Sequence, residues 1–226
     1  MERIFRIVFS LIFFVNFGCS KDNITSQPED AYIPLISGNF AEFEVERTKF
    51  TLSALPEIQK LRTRQIIADS FRDVSNHLVY KSEYYVLDTK SAWKIDSIIP
   101  VWRTLDKTMC QENGQAIVKL VHPLANEVAW NGNLYNAMNE KVFHVKDLGK
   151  PFQIAAMTFP NTVTIIRQDD STLLSKNKYI EIYAMNVGLI RTEKIFVQYC
   201  GTPDCIGKGI INSGWKEVST IIKYGK

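Results

Sequence analysis

Over residues 40–47 every second residue is an acid, with Glu42, Glu44 and Glu46 alternating with Ala41, Phe43 and Val45. A period of two puts the carboxylates on one face of an extended strand and the apolar side chains on the other. The stretch therefore fits a half-buried strand and not a core helix. The same alternation, less strict, returns over 61–71, 77–87, 93–99, 116–121, 142–146, 162–168, 179–185, 189–199 and 218–224, with turn residues between the runs. The segment 72–76 (RDVSN) supplies the Asp, Ser and Asn of a tight reversal. Asn186 and Gly188 tolerate positive φ between two apolar runs, which predicts a long antiparallel hairpin over 179–199. Asn131-Gly132 is a second strong turn dipeptide. Only 52–61 has a helical case, and Pro56 allows a short helix at most. These signals predict an all-β domain over 31–226: an antiparallel, curved sheet or incomplete barrel with at most one or two short helices.

The chain begins differently. Arg3 and Arg6 precede an eleven-residue run, 7–17, that only Ser10 and Asn16 interrupt and that ends at Gly18 and Cys19. As a helix this run would span ~16 Å, against a hydrocarbon core of ~30 Å, so it reads as a cleaved targeting segment and not a permanent span. The layout is that of a bacterial lipoprotein signal over 1–18, with Cys19 as the acylated residue, although Asn16 and Phe17 stand where the usual box has Leu and Ala or Ser. Each buried CH₂ adds ~0.8 kcal/mol, so two or three chains on Cys19 would hold a soluble domain at a membrane. Residues 19–30 are polar and read as a flexible tether.

The rest of the composition narrows the function classes mainly by exclusion. The 226 residues carry a net charge of +3, with Lys and Arg dispersed among Asp and Glu, which argues against a nucleic-acid partner. The chain has no G-x-S-x-G, G-x-x-x-x-G-K-[ST] or H-E-x-x-H pattern and no calcium loop. His77, His122 and His144 are too far apart for a local metal signature. The reading is therefore not an enzyme, with no cofactor and no metal. Cys200 and Cys205 flank GTPD, a loop able to bring two thiols together. In an oxidising compartment the pair reads as a disulfide, with free thiols and a metal site as alternatives. Cys110 is left over, a small buried hydrophobe. The aromatics Tyr84, Tyr85, Trp93, Trp102, Trp130, Tyr135 and Trp215 offer either a stacking platform or core packing. Trp130, Asn131, Asn133 and Tyr135, around the Asn-Gly turn, are the candidate contact region for a ligand or partner. A core role for Trp130 competes with that.

Four segments carry a resemblance: YIPLISGNFAEFEVE from Tyr32, AWKIDSIIPVWR from Ala92, KLVHPLANEVAWNGNLYN from Lys119 and YAMNVGLI from Tyr183. They resemble a group of uncharacterised lipoproteins of the Bacteroidetes type. Its Tyr-x-Pro-Leu-x-x-Gly opening falls on Tyr32, Pro34, Leu35 and Gly38. Its Trp-x-Gly-Asn-x-Tyr-Asn element falls on Trp130, Gly132, Asn133, Tyr135 and Asn136, and its Tyr-Ala-x-x-Val-Gly-Leu hairpin on Tyr183, Ala184, Val187, Gly188 and Leu189. The resemblance implies a lipid-anchored envelope protein, at the outer membrane, with no established activity to carry over. The expected function is a non-enzymatic binding or interaction module. It would be joined to the membrane through acylated Cys19 and have a protein, glycan or lipid as ligand. A periplasmic lipid or hydrophobic-ligand carrier with a half-barrel sheet is the alternative, and a hydrolase with an unrecognised site is a third.

Overall fold

A computed structural model describes residues 29–226, so the signal segment, Cys19 and the first part of the tether lie outside the described residues. A 3-10 turn, Glu29–Tyr32, opens the described chain within the stretch read as tether. Twelve strands follow. The first six are β1 (Phe40–Phe50), β2 (Glu57–Arg72), β3 (Leu78–Leu87), β4 (Trp93–Arg103), β5 (Lys107–Glu112) and β6 (Gln115–Val121). The second six are β7 (Ala129–Asn131), β8 (Val142–Ile154), β9 (Met157–Ser171), β10 (Ser175–Ala184), β11 (Gly188–Tyr199) and β12 (Ile211–Gly225). Among the described residues no helix is long and apolar enough to cross a membrane.

Apart from β6 and β7, which do not pair with each other, each strand pairs antiparallel with its sequence neighbours, and β1 pairs with β12, so the sheet runs β6-β5-β4-β3-β2-β1-β12-β11-β10-β9-β8-β7. Its two edges, β6 and β7, are consecutive in the chain and face each other. The result is an all-β, up-and-down barrel, nearly closed, with one unsealed seam. Three bonds bridge the seam: the Val118 amide to the Gly132 carbonyl (2.9 Å), Trp130 Nε1 to the Val118 carbonyl (2.9 Å), and Asn136 Nδ2 to the Ala116 carbonyl (2.8 Å). Bringing two edges together in this way covers part of the unpaired backbone that an open sheet would expose.

In β1 the alternation resolves as its sequence implies. Ala41, Phe43 and Val45 are buried while Glu44 and Glu46 are exposed. Glu42 departs from its register mates, for it lies buried beneath Arg62 and Arg64 (both 3.1 Å), and the Arg64 guanidinium in turn covers the Trp93 ring at 4.3 Å. Apolar side chains gather in two clusters that draw on opposite faces of β10. Val101, Cys110 and Leu120 pack with Phe143, Val163 and Ile165 in one apolar cluster, while Phe43, Val45, Phe159, Ile182, Ile190 and Ile221 share a second.

One expectation needs correction. Residues 52–61 form no helix: 51–56 is a turn ending in Pro56, and Glu57 onward joins β2, where pairing with β1 satisfies the backbone that a short helix would leave open. Asn131-Gly132 does open a turn, with the Leu134 amide donating to the Asn131 carbonyl (3.3 Å), and this turn leads into a longer loop. Asn131 ends β7 opposite Val142, and its Oδ1 accepts the amides of Asn133 (2.9 Å) and Lys141 (3.1 Å), pinning the loop 132–141 at both ends. Gly132 is needed there for space, since a Cβ would stand 2.4 Å from the Phe143 ring. Two strands, β5 and β7, were not read from the sequence at all. The 179–199 hairpin is present, with Asn186 at φ 61° and Gly188 at φ 100°.

Candidate functional site

Because the strands alternate in direction, the turns that follow even-numbered strands share one end of the barrel with the segment before β1 and the residues after β12. A cavity of about 340 Å³ opens at this end. Its rim is built by Ile33 and Pro34, the β10–β11 turn from Asn186, and Tyr224 to Lys226. The rim segment is held in place: Tyr32 donates to Asn161 Oδ1 (3.0 Å), Arg103 donates to the Ile33 carbonyl (2.5 Å), and the Asn186 amide donates to the Ala31 carbonyl (2.8 Å). Ile67, Ile99, Val101 and Leu189 form apolar walls, and Gln65, Tyr84, Cys110, Glu112 and Lys119 supply the polar lining.

Behind that lining lies a charge network that joins four strands across the interior. Lys119 of β6 donates to Glu112 of β5 (3.0 Å) and Glu181 of β10 (2.7 Å). Arg167 of β9 binds Glu112 with two nitrogens (3.1 and 2.8 Å) and also donates to Glu181 (3.1 Å). The hydroxyls of Tyr179 and Tyr183 donate to the two oxygens of Glu181 (2.9 Å each). The Arg167 guanidinium is sandwiched between the rings of Phe143 (4.7 Å) and Tyr179 (4.4 Å). Two acids and two bases cancel, as a buried set must if it is not to leave an uncompensated charge.

This closed arrangement fixes every protonation state near neutrality. Burial pushes the Glu181 and Glu112 carboxyls up, but Lys119 and Arg167 together outweigh it and hold both below their ordinary values, Glu181 at about 2. Burial works against the charge of Lys119 too, and the two carboxylates overcome it, raising its value well above normal. Burial pushes Tyr84 up to about 12, and it raises the thiol of Cys110 as well.

No protein-family model and no curated protein matches the chain. Among solved structures it is similar to a "putative lipoprotein" from Parabacteroides distasonis ATCC 8503, at 14% identity and a TM-score of 0.45, over 86% of this chain and 98% of that one.

Apart from Tyr84 and Cys110, which line the cavity, the residues singled out from the sequence lie elsewhere. Trp130 is half-buried at the seam, edge-on to Phe143 at 5.8 Å. Asn133 is buried, with its Nδ2 on the Asn139 carbonyl (2.6 Å), while Tyr135 is exposed on the loop. Together with Asn131, these residues organise the 132–141 loop and the barrel's closure. Cys200 and Cys205 are joined by a disulfide with their Cα atoms 5.7 Å apart, in the loop before β12. Cys110 is a free, buried thiol. Of the aromatics named above, Tyr84 lines the cavity, whereas Trp93 lies under Arg64 and Trp215 packs on Phe196 at 5.0 Å. Sequence reasoning missed Glu112, Lys119, Arg167 and Glu181. The available signal was a charge in register with inward apolar residues, as in Val163, Ile165, Arg167 and in Tyr179, Glu181, Tyr183.

Proposed function

We propose that the protein is a cell-envelope lipoprotein, held at the outer membrane by acylated Cys19, whose barrel is a non-enzymatic ligand-binding module with the interior cavity as its site. The observation that carries this reading is the cavity itself: an apolar-walled space with a polar lining, within the ~300–1,000 Å³ range of small-molecule sites. The anchor rests on Arg3, Arg6, the short apolar run and Gly18-Cys19. The Cys200–Cys205 disulfide suits an oxidising compartment. Only nine residues, 20–28, separate Cys19 from the 3-10 turn, which would keep the cavity end of the barrel within about 35 Å of the acylated residue.

The network argues for binding over catalysis. A general acid or base works best when its pKa lies near the operating pH, and here the carboxyls are held low while Lys119, Tyr84 and Cys110 are held high. A carrier of multi-chain lipids would need an open apolar trough, whereas this interior is occupied by an apolar cluster and an ion network. A small ligand fits better.

Two measurements on the full chain test the reading. Cys19→Ser should abolish palmitate labelling and leave the protein soluble or unprocessed; wholly membrane-bound Cys19→Ser protein would refute the anchor. Native mass spectrometry of wild type should show a retained small molecule that Ile99→Trp, which fills the cavity, excludes. Equal retention by both proteins would remove the cavity as the site.

A further inference from the structure

The cavity lining constrains the charge of what can enter. Each oxygen of Glu112 and Glu181 already accepts from Lys119, Arg167 or a tyrosine, and Lys119 is shared between the two acids. The lining therefore carries a balanced pair of charges and no surplus of either sign. An anion or a cation brought against it would lose its water and gain no net counter-charge, while disrupting bonds that already exist. Hydrogen-bonding capacity remains beside the pair: the Gln65 amide, whose Nε2 is on Ser82 Oγ (2.7 Å), keeps its oxygen, and the Tyr84 hydroxyl, also bonded to Ser82, keeps a further site. Tyr224 and Lys226 stand on the rim, next to Gly38 and Gly225. A cation there acts through solvent and contributes little to a ligand seated below it. At ~30 Å³ per water-sized group, a cavity of 340 Å³ holds about eleven such groups.

We propose that the cavity takes an uncharged amphiphile of about that size, its alcohol or amide head against Gln65, Tyr84 and the Glu112–Lys119 pair and its apolar body along Ile67, Ile99, Val101 and Leu189. This rests on the reading of the barrel as a ligand-binding module and adds the chemical class. An excluded charge also separates this site from one that recognises fatty acids or quaternary amines.

The test uses the full chain at neutral pH and three probes that differ in the head alone: decanol, decanoate and decyltrimethylammonium. Calorimetry should show decanol binding with one-to-one stoichiometry and at least about tenfold more tightly than either ion, a margin of ~1.4 kcal/mol. Ile99→Trp and, independently, Ala41→Leu should each weaken decanol binding while keeping a cooperative thermal transition. Decanoate or the quaternary amine binding as tightly as decanol would overturn the proposal, as would the absence of binding by all three. If in that last case the wild type still retains a native molecule that Ile99→Trp excludes, the ligand-binding reading survives and only the proposed class falls.

Discussion

At the scale of single residues, Glu181 is the most consequential position, because it is fully enclosed and receives Lys119, Arg167, Tyr179 and Tyr183. Removing its charge leaves two buried cations facing one acid. Glu181→Gln should therefore cost ~3–5 kcal/mol of unfolding free energy, measured by denaturant titration; a loss under ~1 kcal/mol would mean the network is not buried as described. The pH dependence has a definite sign. The folded value of Glu181 lies below its ordinary 4.5, so the native state binds fewer protons than the unfolded one and stability rises with pH across this window. Its contribution is complete above 4.5 and is lost as the pH falls towards about 2. Glu112 acts in the same direction. Lys119, raised above 10.5, contributes fully below that value and loses its share only at higher pH. Melting midpoints should fall steeply in acid and stay level through neutrality, and Glu181→Gln should flatten the acid limb. An unchanged limb would assign acid sensitivity to other carboxylates.

At the scale of elements, the seam and the β10–β11 hairpin are the parts whose sequence logic can be broken singly. Trp130→Ala removes both the indole bond to Val118 and the edge contact with Phe143. It should cost ~3 kcal/mol and speed hydrogen exchange at the Val118 amide more than at amides of β1; uniform exchange would show that the seam is not held there. Gly188→Val forces a β-branched residue to φ 100° and should cost ~1–3 kcal/mol, read as a lower melting temperature. An unaltered melt would contradict the turn. These elements also show what the sequence could and could not reveal. Long strands with alternation were legible, as was the hairpin, because Asn186 and Gly188 satisfy a steric demand that few residues meet. β5 was not, because Thr108, Met109 and Cys110 are buried in succession and erase the period of two. β7 has three residues, too few for any period. Missing β5 hid Glu112, and with it the network, whose four charges lie on separate strands and meet only when the sheet curls. The Asn-Gly pair marked a turn that is present, but the loop over 132–141 that follows it, packed through Gly132 on Phe143, is set by tertiary contacts the pair does not encode.

At the scale of the whole molecule, consecutive pairing plus the β1–β12 contact nearly closes the sheet, and closure creates an interior large enough for an apolar cluster, a neutral ion network and a leftover cavity. The cavity opens where the chain enters the barrel, so the anchor and the binding site would share one end. The central claim is that a ligand enters this interior space and does not bind the outer surface. Isoleucine methyl spectra of the full chain titrated with decanol test it most directly, because Ile67 and Ile99 line the cavity while Ile58, Ile95 and Ile98 are exposed on the outside. The account predicts saturable shifts at Ile67 and Ile99 with the outer isoleucines unmoved; shifts confined to the outer residues, or drifting without saturation, would contradict it.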